Sequence, residues 1–330
     1  MAQGELLRRL FASYSRADDA AFRQAADELV AEERRKNHRL LANELERELN
    51  KPRPGADLPL TLRPIPKSRD DRPLLRLTKP NRELSELVLA PMAREVIEEI
   101  VAENRSRGAL TSHGLRPRQR LLLLGAPGTG KSATAHAIAA ELSLPVATAS
   151  LAALTSSFLG DTARNVEAIM GFAEQTPCVL LLDEFDVLGQ ERAQAGDHGE
   201  MRRVAATVLQ SLEDLHGESL VVATSNHPQL VDAAMWRRFD ELIGFDSLDE
   251  AQLAELIALK LRAMPTELDA GDWAGRLGTL SPAEVELVCF EAMRRTVLAG
   301  RSAVDDAAME AAVERMRRRR TLIDGAAPPD

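Results

Sequence analysis

The octapeptide Gly125-Ala126-Pro127-Gly128-Thr129-Gly130-Lys131-Ser132 constrains this chain more than any other segment. It lies between the apolar run Arg120-Leu121-Leu122-Leu123-Leu124 and the alanine-rich residues 133–142, so it joins an expected strand to an expected helix. A glycine-rich turn aimed at a helix N-terminus presents unpaired N–H groups at the positive end of the helix dipole, a ready cradle for phosphate. Within this pattern Lys131 is expected to reach the β- and γ-phosphates of a nucleotide and Ser132 to place its hydroxyl on Mg²⁺, with Ala133 closing the turn. Every fixed position of the pattern is filled, so a glycine-rich loop with a chance lysine is a poor account of it.

The rhythm around the loop sets the fold class. Pro145-Val146-Ala147-Thr148-Ala149, Cys178-Val179-Leu180-Leu181-Leu182 and Leu220-Val221-Val222-Ala223-Thr224 are short apolar runs separated by helical spans. Continuous apolar strands alternating with helices predict an α/β fold, a parallel sheet sandwiched by helices. Residues 5–49 read as helical, with Ser15-Arg16-Ala17-Asp18 as a capping box and an apolar stripe through Phe22, Ala25, Ala26, Leu29 and Val30. Seven of the 17 prolines fall in residues 51–80, which predicts an extended linker. After residue 246 the strands stop, and Ser247-Leu248-Asp249-Glu250 and Ser281-Pro282-Ala283-Glu284 read as capping boxes of a helical lid. The expected organisation is a helical N-terminal domain (1–50), the linker (51–80), an α/β domain (81–246), the lid (247–320) and a flexible tail (321–330).

Two further strand ends carry chemistry. Leu180-Leu181-Leu182-Asp183-Glu184 puts carboxylates at the C-terminal edge of the sheet, where open α/β sheets bind ligands. Asp183 is expected to hold the Mg²⁺ shell and Glu184 to act as the general base that polarises an attacking water. Asn226, after Ala223-Thr224-Ser225, is expected to orient that water. Cys178 and Cys289 sit in unrelated contexts and read as packing residues, and none of the six His shows metal-ligand spacing. A net charge of −9 argues against a chain built to coat nucleic acid. No leader-like segment opens the chain and no apolar run is long enough to span a bilayer, so the expectation is a cytoplasmic protein without membrane contact.

In order, residues 125–132, 180–184 and 223–226 resemble the Walker A, Walker B and sensor 1 elements of the AAA family of ATPases, within the AAA+ class of P-loop NTPases. Asp232-Ala233-Ala234-Met235-Trp236-Arg237-Arg238-Phe239-Asp240 resembles the family's arginine-finger segment. The resemblance runs from about Arg82 to about Arg317. It implies ATP hydrolysis with Mg²⁺ in a homo-oligomeric ring, typically a hexamer, in which Arg237 and Arg238 reach a neighbouring subunit's nucleotide. Phe158-Leu159-Gly160 resembles the pore loop by which unfoldases of this family grip a polypeptide, and Leu87-Val88 stands where the family's adenine pocket begins, so Val88 is expected to touch the base. The chain is similar to short bacterial stand-alone AAA proteins with a helical N-terminal domain, some encoded beside subtilisin-like proteases in defence loci. The leading expectation is therefore an ATPase that unfolds, translocates or remodels a protein substrate through a central pore. The alternative is a nucleotide-driven assembly or sensor subunit that recruits an effector such as a protease.

Overall fold

The computed structural model describes residues 8, 24–26, 28–32, 36, 64–150, 162–188, 199–231 and 233–324. The chain divides into two compact units, Met1–Ala56 and Asp57–Asp330. In the first, residues 24–26 and 28–32 are helical, with Ala25 and Val30 buried, on the stripe expected there. The Ser15 capping box lies outside the described residues.

The second unit is built on a six-stranded sheet in the order β1-β3-β4-β5-β2-β6. The strands are β1 (Arg76–Thr78), β2 (Arg120–Gly125), β3 (Val146–Ser150), β4 (Val179–Asp183), β5 (Leu220–Ser225) and β6 (Glu241–Phe245). Four of these are the apolar runs of the sequence, and β2 to β6 pair in parallel. The other two depart from expectation. β1, inside the proline-rich stretch 51–80, pairs antiparallel with β3 and makes the sheet mixed rather than wholly parallel. A three-residue edge strand between Pro73 and Pro80 needs hydrogen-bonding groups on one side only, which is why proline neighbours are tolerated. β6 is the opposite edge, and its alternating burial gives it no continuous apolar run to betray it.

Both faces of the sheet are covered. Leu121 and Leu123 of β2 point into one core with Ile97 and Ile100 of α1 (Pro91–Arg105) and Ile138 of α3 (Lys131–Leu142). Leu122 points into the other, against Ile169 of α4 (Thr162–Gln175) and Val208 of α5 (Gly199–Glu213). Two-sided burial is the reason the strands read as unbroken apolar runs. A short α2 (Arg107–Ser112) follows α1, and α6 (Ala233–Trp236) precedes β6.

The lid comprises α7 (Glu250–Leu261), α8 (Ala270–Leu277), α9 (Pro282–Leu298) and α10 (Asp306–Asp324), packed around Trp273, Ile257, Val285 and Met309. Ser281 and Glu284 form the expected reciprocal cap of α9, with Pro282 at the first helical position. The other box is corrected: Asp249, not Ser247, caps α7, exchanging bonds with Gln252 in both directions. Asp is an equally good cap, Gln252 completes the box, and the shift lets Leu248 pack on the lid core.

Candidate functional site

β2 leaves the sheet between β5 and β6, with Leu124 opposite Ser225 and Gly125 opposite Phe245. Gly125 has φ +153°, and a Cβ there would lie 2.2 Å from the Phe245 carbonyl oxygen, so a side chain cannot fit where the loop departs. The helical ladder of α3 starts only with Thr134 N donating to Gly130 O at 2.8 Å. Among the described residues, the amides of residues 128–133 have no protein acceptor. That row of free donors at a helix start is the chemistry a polyphosphate fits.

Lys131 is buried, and its Nζ donates to Gly125 O, Ala126 O and Asn226 Oδ1, each at 2.8 Å. Burial lowers its pKa; the nearby carboxylates of Asp183 and Asp186 oppose that shift. Thr129 Oγ1 ties back to Ala126 O at 2.8 Å. The loop borders a cavity of about 430 Å³ that Pro127, Gly128, Thr129, Gly130, Lys131, Ser132 and Ala133 line together with Asp183, Glu184, Asn226 and Val88. The volume suits a small organic ligand. A hydroxyl from Ser132 and a carboxylate from Asp183 are the hard oxygen donors that Mg²⁺ takes.

The ends of β4 and β5 are locked to one another. Thr224 Oγ1 donates to Asp183 Oδ1 at 2.5 Å, and the Thr224 carbonyl accepts from Phe185 N at 2.8 Å. Between these tethered neighbours Glu184 is exposed with φ +57°, a left-handed conformation that costs a non-glycine residue roughly 1–2 kcal/mol. The Phe185 ring meets Phe239 edge-on at 5.3 Å, and buried Asp186 accepts from Asn226 N at 3.2 Å. Thr224 and Asp186 thus belong to the site beyond the residues expected there. A signal for Asp186 was available, a second aspartate three residues after Asp183 at the same strand end.

The opposite wall comes from the segment before α1 and from the lid. Val88 is buried against the lid core and lines the cavity. Arg82 Nη2 pairs with Glu286 at 2.8 Å, and Lys260 Nζ donates to Glu86 O at 3.0 Å while standing 3.5 Å from Glu286. Ala283 N donates to Gly128 O at 3.0 Å. Arg82, Lys260 and Glu286 went unnoticed in the sequence, where they look like surface charges. Their juxtaposition spans up to 204 residues of chain and has no local signature.

Arg237 is exposed, and Arg238 pairs with Glu213 at 2.8 Å. Neither lines the cavity of its own chain. Phe158, Leu159 and Gly160 lie outside the described residues, as do 190–198. Cys178 and Cys289 are buried free thiols, pushed up to about 11 and about 12 by desolvation, in keeping with packing roles. Among the described residues no cluster of three His, Cys, Asp or Glu could hold a metal ion, and no helix is long and apolar enough to cross a membrane.

Residues 121–247 match the model of the ATPase family associated with various cellular activities (AAA). The chain is 35% identical over 322 residues to the uncharacterized AAA family ATPase y4kL of Sinorhizobium fredii, covering 97% of both chains. It is 28% identical over 245 residues to the ATP-dependent zinc metalloprotease FtsH 3 of Sphaerobacter thermophilus, covering 72% of this chain and 50% of that protein. Over 160 residues it is 34% identical to the peroxisomal ATPase pex6 of Schizosaccharomyces pombe, which is 46% of this chain and 17% of the relative.

Proposed function

Because this chain belongs to the AAA family of ATPases, we propose that it hydrolyses ATP in the cavity between residues 125–132 and the lid and uses the cycle to remodel a protein substrate. The observation that carries the site assignment is the convergence on one cavity of the free amides of the loop, Lys131, Asp183, Glu184 and Asn226. The amides of residues 128–132 take the β-phosphate, and Lys131 exchanges its carbonyl partners for phosphate oxygens. Ser132 and Asp183 would hold Mg²⁺, and the ion, when bound, would supply neutralisation of the charge that develops on the phosphates. Glu184 takes the proton of the attacking water, Asn226 orients that water, and Val88 borders the adenine. Arg237 and Arg238, remote from their own cavity, serve a neighbouring subunit's nucleotide in a ring, most simply a hexamer.

Replacing Glu184 by Gln tests the chemistry. The variant is expected to bind ATP and hold assembled subunits together while hydrolysis falls by about 10²-fold or more. Turnover at the wild-type rate would remove Glu184 from this role. The protein-substrate part is supported by the likeness to relatives named as an ATP-dependent protease and a peroxisomal ATPase, and by the Phe158-Leu159-Gly160 segment. A second reading, recruitment of an effector protein such as a protease, is favoured by the separate compact unit Met1–Ala56. Proteins retained on the Glu184→Gln variant with ATP discriminate the two: a client to be remodelled, or a stoichiometric enzyme partner.

A further inference from the structure

The lid touches the phosphate loop through the cap of α9. Glu284 Oε2 accepts from both the N–H and the hydroxyl of Ser281 at 2.8 Å. The cap is in turn held from another helix. Near the end of α10, Arg320 forks onto the same carboxylate, Nε to Oε1 and Nη2 to Oε2 at 2.7 Å each, and Nη2 also reaches Thr279 O at 3.3 Å. Arg320 thereby joins α10 to α9. On the far side of the cap, Ser281 Oγ stands 2.9 Å from the place a Cβ on Gly128 would occupy, and Gly128 has φ +78°. Ala283 N donates to the carbonyl of that glycine at 3.0 Å. Ser281, Glu284 and Arg320 line a second cavity of about 500 Å³ on the phosphate loop, and none of the three lines the nucleotide cavity.

We propose that Arg320 is a positioning residue for nucleotide binding: its two-pronged grip on Glu284 fixes Ser281 and Ala283 against Gly128, so that the last helix sets the shape of the phosphate loop. The loop has value only if its free amides already point at the phosphates, and a loop that must be ordered on binding gives up affinity. Arg320 does not line the nucleotide cavity, and the bonds that tie it to the cap are those to Glu284 and Thr279, so the cap is the route by which it acts on the loop. The inference rests on the assignment of residues 125–132 to phosphate binding.

The test compares the full-length Arg320→Met, Arg320→Lys and Arg318→Ala variants for KM, kcat and melting temperature, with Lys131→Ala as the control on the loop itself. Arg318 pairs with Glu314 on the same helix at 3.2 Å and does not line either cavity on the loop. Arg320→Met is expected to raise KM for ATP about 5- to 20-fold with kcat at saturation near wild type. Arg320→Lys should recover part of the loss, because one ammonium cannot span both carboxylate oxygens, and Arg318→Ala should match wild type. A wild-type KM in Arg320→Met, a fall confined to kcat, or equal effects of Arg318→Ala and Arg320→Met would each overturn the proposal. Should Arg320→Met fail to fold, Arg320→Lys decides: a raised KM supports the proposal and a wild-type KM overturns it. Nucleotide binding that survives Lys131→Ala would instead sink the assignment of the loop.

Discussion

Arg237 and Arg238 are adjacent in sequence and unlike in surroundings. Arg238 is occupied by Glu213 at 2.8 Å, whereas Arg237 is exposed and makes no ion pair among the described residues. A guanidinium already neutralised in its own chain must give up that partner to serve elsewhere, so Arg237 is the freer of the two. Arg237→Ala is expected to lower kcat by about 10³-fold, the lower end for loss of such a group, and Arg238→Ala by less. Subunit mixing checks this: the Arg237→Ala chain should regain turnover at its own intact site when its neighbour supplies a normal arginine. At this scale the sequence was informative where residue type and strand end coincide. Lys131, Asp183, Glu184 and Asn226 fall on one cavity because each terminates or follows an apolar run of the same sheet. Thr224 was harder to read because its hydroxyl matters only through what it holds, the Asp183 carboxylate and the left-handed turn at Glu184.

Elements were legible to the extent that they are buried on two sides. β2 to β5 have that pattern, whereas β1 and β6 are edges, and an edge strand of three or five residues differs little in composition from a loop. Caps were legible as residue types but not always in register, as the move from Ser247 to Asp249 shows. The cap of α9 gives a pH prediction. The hydrogen bonds from Arg320, the largest influence, hold the Glu284 carboxyl down to about 2 from the usual 4.5, against the opposing effect of burial. A carboxylate more acidic in the folded state stabilises at neutral pH, and that contribution is lost as pH falls from the unfolded value through the folded one. The wild type should therefore melt higher than Glu284→Gln above pH 4.5, and the gap should close as pH approaches 2. Paired melting curves across this range check it; a gap that stays constant would place the stabilising effect elsewhere.

For the whole molecule, the unit Asp57–Asp330 has a sheet edge on one side of the cavity bordered by residues 127–133 and a helical lid on the other. An arginine that does not line its own cavity makes sense when a second copy completes the site. On the proposed function, substrate handling belongs to the same level, since the grip on a polypeptide would come from several copies of Phe158 around one channel. Phe158→Ala is expected to leave basal ATPase near wild type, while substrate-stimulated turnover and remodelling are lost. Unimpaired substrate processing would sink the pore-loop assignment. The wall opposite the phosphate loop has a kinetic consequence. Arg82, Glu286 and Lys260 clasp the segment before α1 to α7 and α9, and Ala283 pins α9 to Gly128. If the cavity holds the nucleotide as proposed, release of the spent nucleotide would be eased when these contacts part, and its residence time would report how long they hold. On that reading the clasp would be the escapement of the cycle, setting how long a site dwells after hydrolysis before it can be reloaded.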